Sequence, residues 1–276
     1  MRIVMPLFNF NYEGCGCSLS DIYSIALFDM DKDIPAEVLS GLSENDKSYI
    51  YQEDWALVAN DPDLEYYKQE INLLLIAFRI YSKCDVFIKW RFCKDDPTHC
   101  SILNDKFRNL VANTNKTIDS SDLMKIKHGF VRIKDMFAIS DRTKNAFYFI
   151  WRALSSDKHM DAYIFLVCAL ESLFSAETTA DITKTFTKRI QRFVSGTKGF
   201  GGDQIKKIYK IRSDMVHGRI KLTDKQDVEQ RKMNLNNLGR LETLVFTCLY
   251  KILEEKIYTI YKDNKAKENY LTQLMN

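Results

Sequence analysis

The stretch Asp203-Gln-Ile-Lys-Lys-Ile-Tyr-Lys-Ile-Arg-Ser-Asp-Met-Val-His-Gly218 decides how the second half of the chain is read. Asp203 is a natural N-cap and Gly218 a natural residue just past a helix end, so the spacing predicts one helix over 203–217. With about 100° between successive residues, Ile205, Ile208, Tyr209, Met215 and Val216 fall on one side, and Arg212 falls in the middle of their arc. Burying an unpaired guanidinium costs on the order of several kcal/mol. Arg212 therefore pairs with a buried acid, faces a subunit interface, or lines a site. His217 closes the helix among unpaired carbonyls, where the macrodipole favours the charged imidazole. That suits a proton donor, although a histidine in a last helical turn is also a common cap. Arg212 and His217 stand about 140° apart on a straight helix. Either the last turn is irregular, or two copies of the chain assemble one site.

Working outward, Glu171 is the only charge between Ala162 and Phe174. It is the natural partner for Arg212, and a bidentate pair would fix the guanidinium. The helix carrying it, 159–175, is almost uniformly apolar and reads as central and buried. Around it, 143–154 reads as a helix whose aromatic cluster (Phe147, Tyr148, Phe149, Trp151) packs in the core. The stretch 181–194 carries the stripe Ile182, Phe186, Ile190, Phe193, and 227–261 reads as a last long helix. The loop 195–202 is rich in glycine but lacks the spacing of a phosphate-binding P-loop and follows no strand, so it reads as a connector. The result is a bundle of four or five helices joined by short loops.

Before residue 139 the pattern is mixed. Strands are expected at 21–28, 49–58, 85–92 and 130–133, and a helix at 61–81 with Pro62 at its first position. The fold class is thus α+β overall: a mixed α/β accessory domain over 1–138, an all-α bundle over 139–262, and a polar tail over 263–276 that frays. With 4 Pro and 10 Gly in 276 residues, a long flexible linker is not expected. The net charge of +3 neither demands nor excludes nucleic acid, so a basic surface must be local. One such face is Lys184, Lys188 and Arg192, which recur every fourth residue; Arg189 shares their helix. An ordinary solvated face has the same pattern.

The start of the chain lacks the apolar core of a secretory signal, and no run is long enough to span a bilayer. Together with 7 irregularly spaced cysteines, this leads to the expectation of reduced thiols and a cytoplasmic location without membrane contact. Cys15, Cys17, Cys93 and Cys100 are candidate ligands for a structural zinc if the first domain gathers them; free thiols are the plainer reading.

The segment Ile208 to Gly218 resembles the signature of the HEPN ribonucleases, an Arg followed a few residues later by His. Its Arg-Ser and His-Gly pairs, with Ala169-Leu-Glu-Ser-Leu-Phe174 upstream, are closest to the ApeA-like branch. The stretch 182–194, with Arg189, lies where that family has a linking helix. The resemblance covers roughly 140–261. It implies a homodimer or higher oligomer with both motifs near the two-fold axis. It also implies metal-independent endoribonuclease activity through Arg212 and His217, with no cofactor required. Ser213 and Asp214 would support them, and Lys184, Lys188, Arg189 and Arg192 would hold RNA. Such proteins act in phage defence, abortive infection or toxin systems, with a phage-protein trigger or an antitoxin as further partner. The alternative is a non-catalytic module for dimerisation or RNA binding.

Overall fold

The computed structural model describes residues 2–59, 64–102, 116–175, 182–197, 199–219 and 228–275. The chain divides into two compact units, 1–131 and 132–276. The boundary lies seven residues before the expected one at 138/139, inside a helix.

The first unit runs β1 (Ile3–Pro6), β2 (Asn11–Tyr12), β3 (Cys17–Ser18), β4 (Tyr23–Leu27), α1 (Met30–Asp33), α2 (Ala36–Gly41), α3 (Glu44–Ile50), β5 (Trp55–Ala59), α4 (Leu64–Ser82), β6 (Trp90–Cys93), β7 (Ser101–Ile102), β8 (Thr117–Ile118) and the start of α5 (Ser120–Ile139). Six strands form one sheet in the order β3-β4-β5-β1-β6-β7, and β2 pairs with β8. Central β1 takes β5 on one side, with Val4 opposite Val58, and β6 on the other, with Val4 opposite Phe92. β1 and β5 are buried along their whole length, which is why they read as continuous apolar runs rather than alternating ones.

The 49–58 strand forms only from Trp55. Ser43 caps α3 by accepting from the Asp46 amide, and that helix continues through Ile50. The 130–133 strand is a correction. These residues lie in α5, where Ile126, Phe130 and Ile133 recur at helical spacing and are buried. The 61–81 helix begins, among described residues, at Leu64; Asp61 to Asp63 lie outside them.

A sealed ion pair joins Arg79 of α4 to Asp85. The Asp85 carbonyl accepts from the Asn9 side chain at 3.1 Å. Asn9 has a positive φ of 58°, next to the Phe8–Phe87 bridge. Close to β5, burial and the neighbouring Asp54 push the Glu53 carboxyl up to about 7 from an ordinary 4.5. A raised carboxyl holds its proton in the folded state while the unfolded chain has released it. Stability from this group is therefore lost as pH rises from about 4.5 to about 7. Glu53→Gln is expected to raise the unfolding midpoint at pH 8 and leave it unchanged at pH 4; equal effects at both pH values would contradict this.

The second unit follows with α6 (Asp141–Leu154), α7 (His159–Phe174), α8 (Ile182–Phe193), α9 (Gly202–Val216), α10 (Val228–Glu254) and α11 (Asn264–Gln273). Ser140 and Thr143 form a capping box that starts α6. α7 packs against α6, α8, α9 and α10 and is the central helix of the unit. It is buried on one side only: Ile164, Phe165, Cys168, Glu171 and Ser172 form a half-exposed stripe. Of the aromatic cluster on α6, Phe147 is core, whereas Tyr148 is exposed and stands edge-on to Phe149.

The last long helix ends at Glu254, seven residues short of expectation. Lys256 takes a φ of 53°, and a 3₁₀ turn, Ile257–Lys262, follows. The tail does not fray. Asp263 caps α11 by accepting from the Lys265 and Ala266 amides, and Leu271 and Lys267 are buried. A polar composition conceals this because only one face of α11 meets the core. The architecture is thus α+β, with a small antiparallel sheet at the start and a mostly helical second half. Among the described residues no helix is long and apolar enough to cross a membrane.

Candidate active site

The site is built by α7 and α9. Ile205, Ile208, Tyr209 and Met215 bury the inner face of α9, and the Tyr163 hydroxyl of α7 donates to the Ile208 carbonyl at 2.9 Å. This fixes the two helices side by side at the level of Arg212. The Arg212 guanidinium donates from Nη2 to Glu171 Oε2 at 3.3 Å. The sequence expectation of a Glu171–Arg212 pair is met, through a single long contact rather than a bidentate one. The two side chains keep 26% and 20% of their exposure, so the pair is neither sealed nor free. Arg212 also lies 5.7 Å from the centre of the Tyr209 ring. Among the described residues its buried Nε has no hydrogen-bond acceptor. An unsatisfied buried donor costs about 1–3 kcal/mol.

One helical turn before Glu171, Cys168 faces the same pair. Burial pushes its thiol up, the Glu171 charge adds to this, and Arg212 opposes it. The sequence reading passed over Cys168 because a cysteine in an apolar helix looks like core. Its signal was the stripe Ile164, Cys168, Glu171, which follows helical spacing to the one charge on that helix.

α9 stays helical through Val216, so its last turn does not bring His217 round to Arg212. His217 is the C-cap, with φ −86° and ψ 9°. Gly218 takes a φ of 68°. The Arg219 amide donates to the Asp214 carbonyl at 2.8 Å and the Gly218 amide to the Met215 carbonyl at 3.1 Å. This is a Schellman arrangement, which needs glycine at the left-handed position. His217 is exposed, and among the described residues its imidazole makes no hydrogen bond or ion pair. Val216, expected on the apolar face, is exposed as well.

Asp214 is engaged by Arg219 at 3.2 Å, so it does not orient Arg212. Arg219, absent from the sequence reading, sets a cation two residues beyond the imidazole. Ser213 gives its carbonyl to the His217 amide. The fold therefore brings Arg212, Glu171, Cys168 and Tyr209 together and leaves His217 at the open helix end.

Lys184, Lys188 and Arg192 are exposed along α8, as expected of a solvated basic face. Lys206, Lys207 and Lys210 are exposed on α9, and Lys198 lies outside the described residues. Arg189 is a correction. It is 3% exposed and donates to the Phe174 carbonyl and the Leu271 carbonyl, each at 3.1 Å. It clamps the ends of α7 and α11 and is not available to RNA. The same spacing that put it beside Lys188 turned it inward, since i and i+1 lie about 100° apart. Arg189→Met is expected to cost about 2–4 kcal/mol, because two buried carbonyls lose their donor. Chemical denaturation checks this; a change below about 0.5 kcal/mol would contradict it.

The zinc expectation is also corrected. Cys93 and Cys100 adjoin, the Cys93 amide meeting Cys100 Sγ at 3.3 Å. Cys17, however, lies on edge strand β3, four strands from Cys93 on β6. At about 4.8 Å per strand that is about 19 Å, too far for one ion to span. Cys15 and Cys17 therefore cannot share a metal with Cys93 and Cys100. All seven cysteines are free thiols.

No known family of sequences, no curated protein and no solved structure matches this chain.

Proposed function

We propose that the second unit is a metal-independent endoribonuclease of the HEPN type, acting as a homodimer in a phage-defence or toxin setting. The observation that carries the reading is Arg212: a half-buried guanidinium, held by Glu171 through one nitrogen, with an Nε that has no acceptor among the described residues, on the helix that ends in an exposed imidazole. RNA brings its own nucleophile. The 2′-oxygen attacks the adjacent phosphorus and loses its proton to a base. The bond from phosphorus to the 5′-oxygen breaks, and that oxygen takes a proton from an acid. His217 serves as acid or base, and two copies of the chain supply one of each. Arg212 neutralises the charge that grows on the phosphate oxygens. The exposed cations of α8 and α9 draw the strand in.

The products are a 2′,3′-cyclic phosphate and a 5′-hydroxyl. The test is digestion of a mixed RNA pool by purified protein in excess chelator, with end chemistry read by enzymatic labelling. Cyclic ends formed in chelator support the mechanism. Strict dependence on magnesium with 5′-phosphate ends overturns it. RNA bound but left whole favours the non-catalytic binding module.

A further inference from the structure

At one edge of the six-stranded sheet, β6 and β7 carry a pair of thiols. Cys93 is the last residue of β6, and Cys100 immediately precedes β7. Arg91 stands opposite Ser101 in the antiparallel register. Carried one residue further, that register sets Cys100 beside Phe92 and one step from Cys93. For strands about 4.8 Å apart that rise about 3.4 Å per residue, the two α-carbons are then about 6 Å apart. A disulfide spans about 4.4–6.8 Å between α-carbons.

The Cys100 sulfur lies against the Cys93 backbone. It accepts from the Cys93 amide at 3.3 Å, and its thiol donates to the Cys93 carbonyl at 3.7 Å. Residues one step off register normally face opposite sides of a sheet. Cys100 departs from this because it closes the 3₁₀ turn Pro97–His99, its amide donating to the Pro97 carbonyl at 3.0 Å, and its sulfur turns into the plane of the sheet. Closure of a bond therefore needs rotation of side chains and no change of register. Cys93 is sealed at 0% exposure, whereas Cys100 is half-buried and open to a small reagent. Burial pushes the Cys100 thiol up, and the Cys93 amide and Arg91 oppose this. Among the described residues, β7 is held to the sheet by β6 alone, through two residue pairs.

We propose that Cys93 and Cys100 form a reversible disulfide that pins β7 to the sheet, with hydrogen peroxide as the oxidant. The Cys100 thiolate attacks one peroxide oxygen and the O–O bond breaks. This gives a sulfenic acid and a hydroxide, which takes the proton that the thiol released and leaves as water. The Cys93 sulfur then attacks the Cys100 sulfur. The S–O bond breaks, the S–S bond forms, and the departing hydroxide takes the Cys93 proton as a second water. Two thiols lose two electrons, and the peroxide gains them. In the reduced chain, hydrogen bonds alone hold this edge. In the oxidised chain, a covalent bond closes the loop over residues 93–100. The switch does not depend on cleavage at Arg212.

The test is treatment of the native full chain with hydrogen peroxide, capping of the remaining thiols with N-ethylmaleimide, and digestion without reduction for mass spectrometry. A peptide pair joined through Cys93 and Cys100 is expected, lost again on treatment with dithiothreitol. Amide exchange over residues 94–102 is expected to slow by about tenfold or more in the oxidised protein. Cys100→Ser, treated in the same way, shows neither the link nor the slowing. Cys15→Ser with Cys17→Ser, which removes the other closely spaced thiols, leaves both in place. The link is read on the natural chain, so the result stands whether or not a variant folds. Absence of the Cys93–Cys100 link, a Cys15–Cys17 link in its place, or a sulfinic acid at Cys100 beside a free Cys93 overturns the proposal. So does a Cys93–Cys100 link that leaves the exchange unchanged.

Discussion

On the proposed ribonuclease reading, Arg212→Ala is expected to slow RNA cleavage steeply and to leave the protein folded. Removing one preorganised donor from a developing oxyanion costs about 10²–10³ in rate. Removing a positioned general acid or base costs about 10²–10⁴, so His217→Ala falls in the same range. Stability should change little. The pair with Glu171 is part-exposed and rests on one contact of 3.3 Å. Deleting Arg212 also removes the unsatisfied Nε. Arg212→Lys is not expected to restore activity, because an ammonium cannot hold Glu171 and a phosphate oxygen with a rigid fork. Glu171→Gln is expected to lower activity through the altered guanidinium and to leave the melting temperature within a few degrees. Cleavage rates on one RNA, with melting curves and mass measurements for each variant, decide the matter. Full activity of folded Arg212→Ala would sink the catalytic reading and leave the pair as structure.

The largest stability effect is expected at Asp85. Its side chain and that of Arg79 are almost wholly buried, at 0% and 2% exposure, and they form an ion pair. Deleting one member leaves the other charged and dry, which costs about 3–5 kcal/mol. That is a large share of a small unit's total stability. Asp85→Ala is therefore expected to unfold the first unit at 37 °C, and Arg79→Met alone to do nearly the same. The double change Arg79→Met with Asp85→Leu is expected to recover most of the loss, since apolar residues of similar volume replace buried pairs well. Denaturation of the four proteins forms the cycle. Additive single effects would show that the two charges do not act as a pair.

The helical half was legible because its signals are local. Ser140 caps α6, Gly218 closes α9, and the apolar periods of α7 and α8 needed no distant partner to be read. The pairing of Glu171 with Arg212 was legible too, as two charges each out of place in an oily stripe. The strands were harder. The stretch 130–133 is β-branched enough to suggest extension, yet its buried positions follow the helical period of α5. Arg189 and Lys188 are neighbours in sequence but face opposite surroundings. No composition rule separates them.

The sequence alone determined which residues are anomalous: a cation and an acid in apolar helices, and an imidazole at a helix end. Each is a local conflict between residue chemistry and periodicity, visible without coordinates. The tertiary structure decided which conflicts are resolved within the chain. It gave Arg189 two carbonyls from distant helices, gave Arg212 only part of what it needs, and set Cys17 and Cys93 four strands apart. Those outcomes depend on contacts between residues far apart in sequence, and packing rather than propensity selects them.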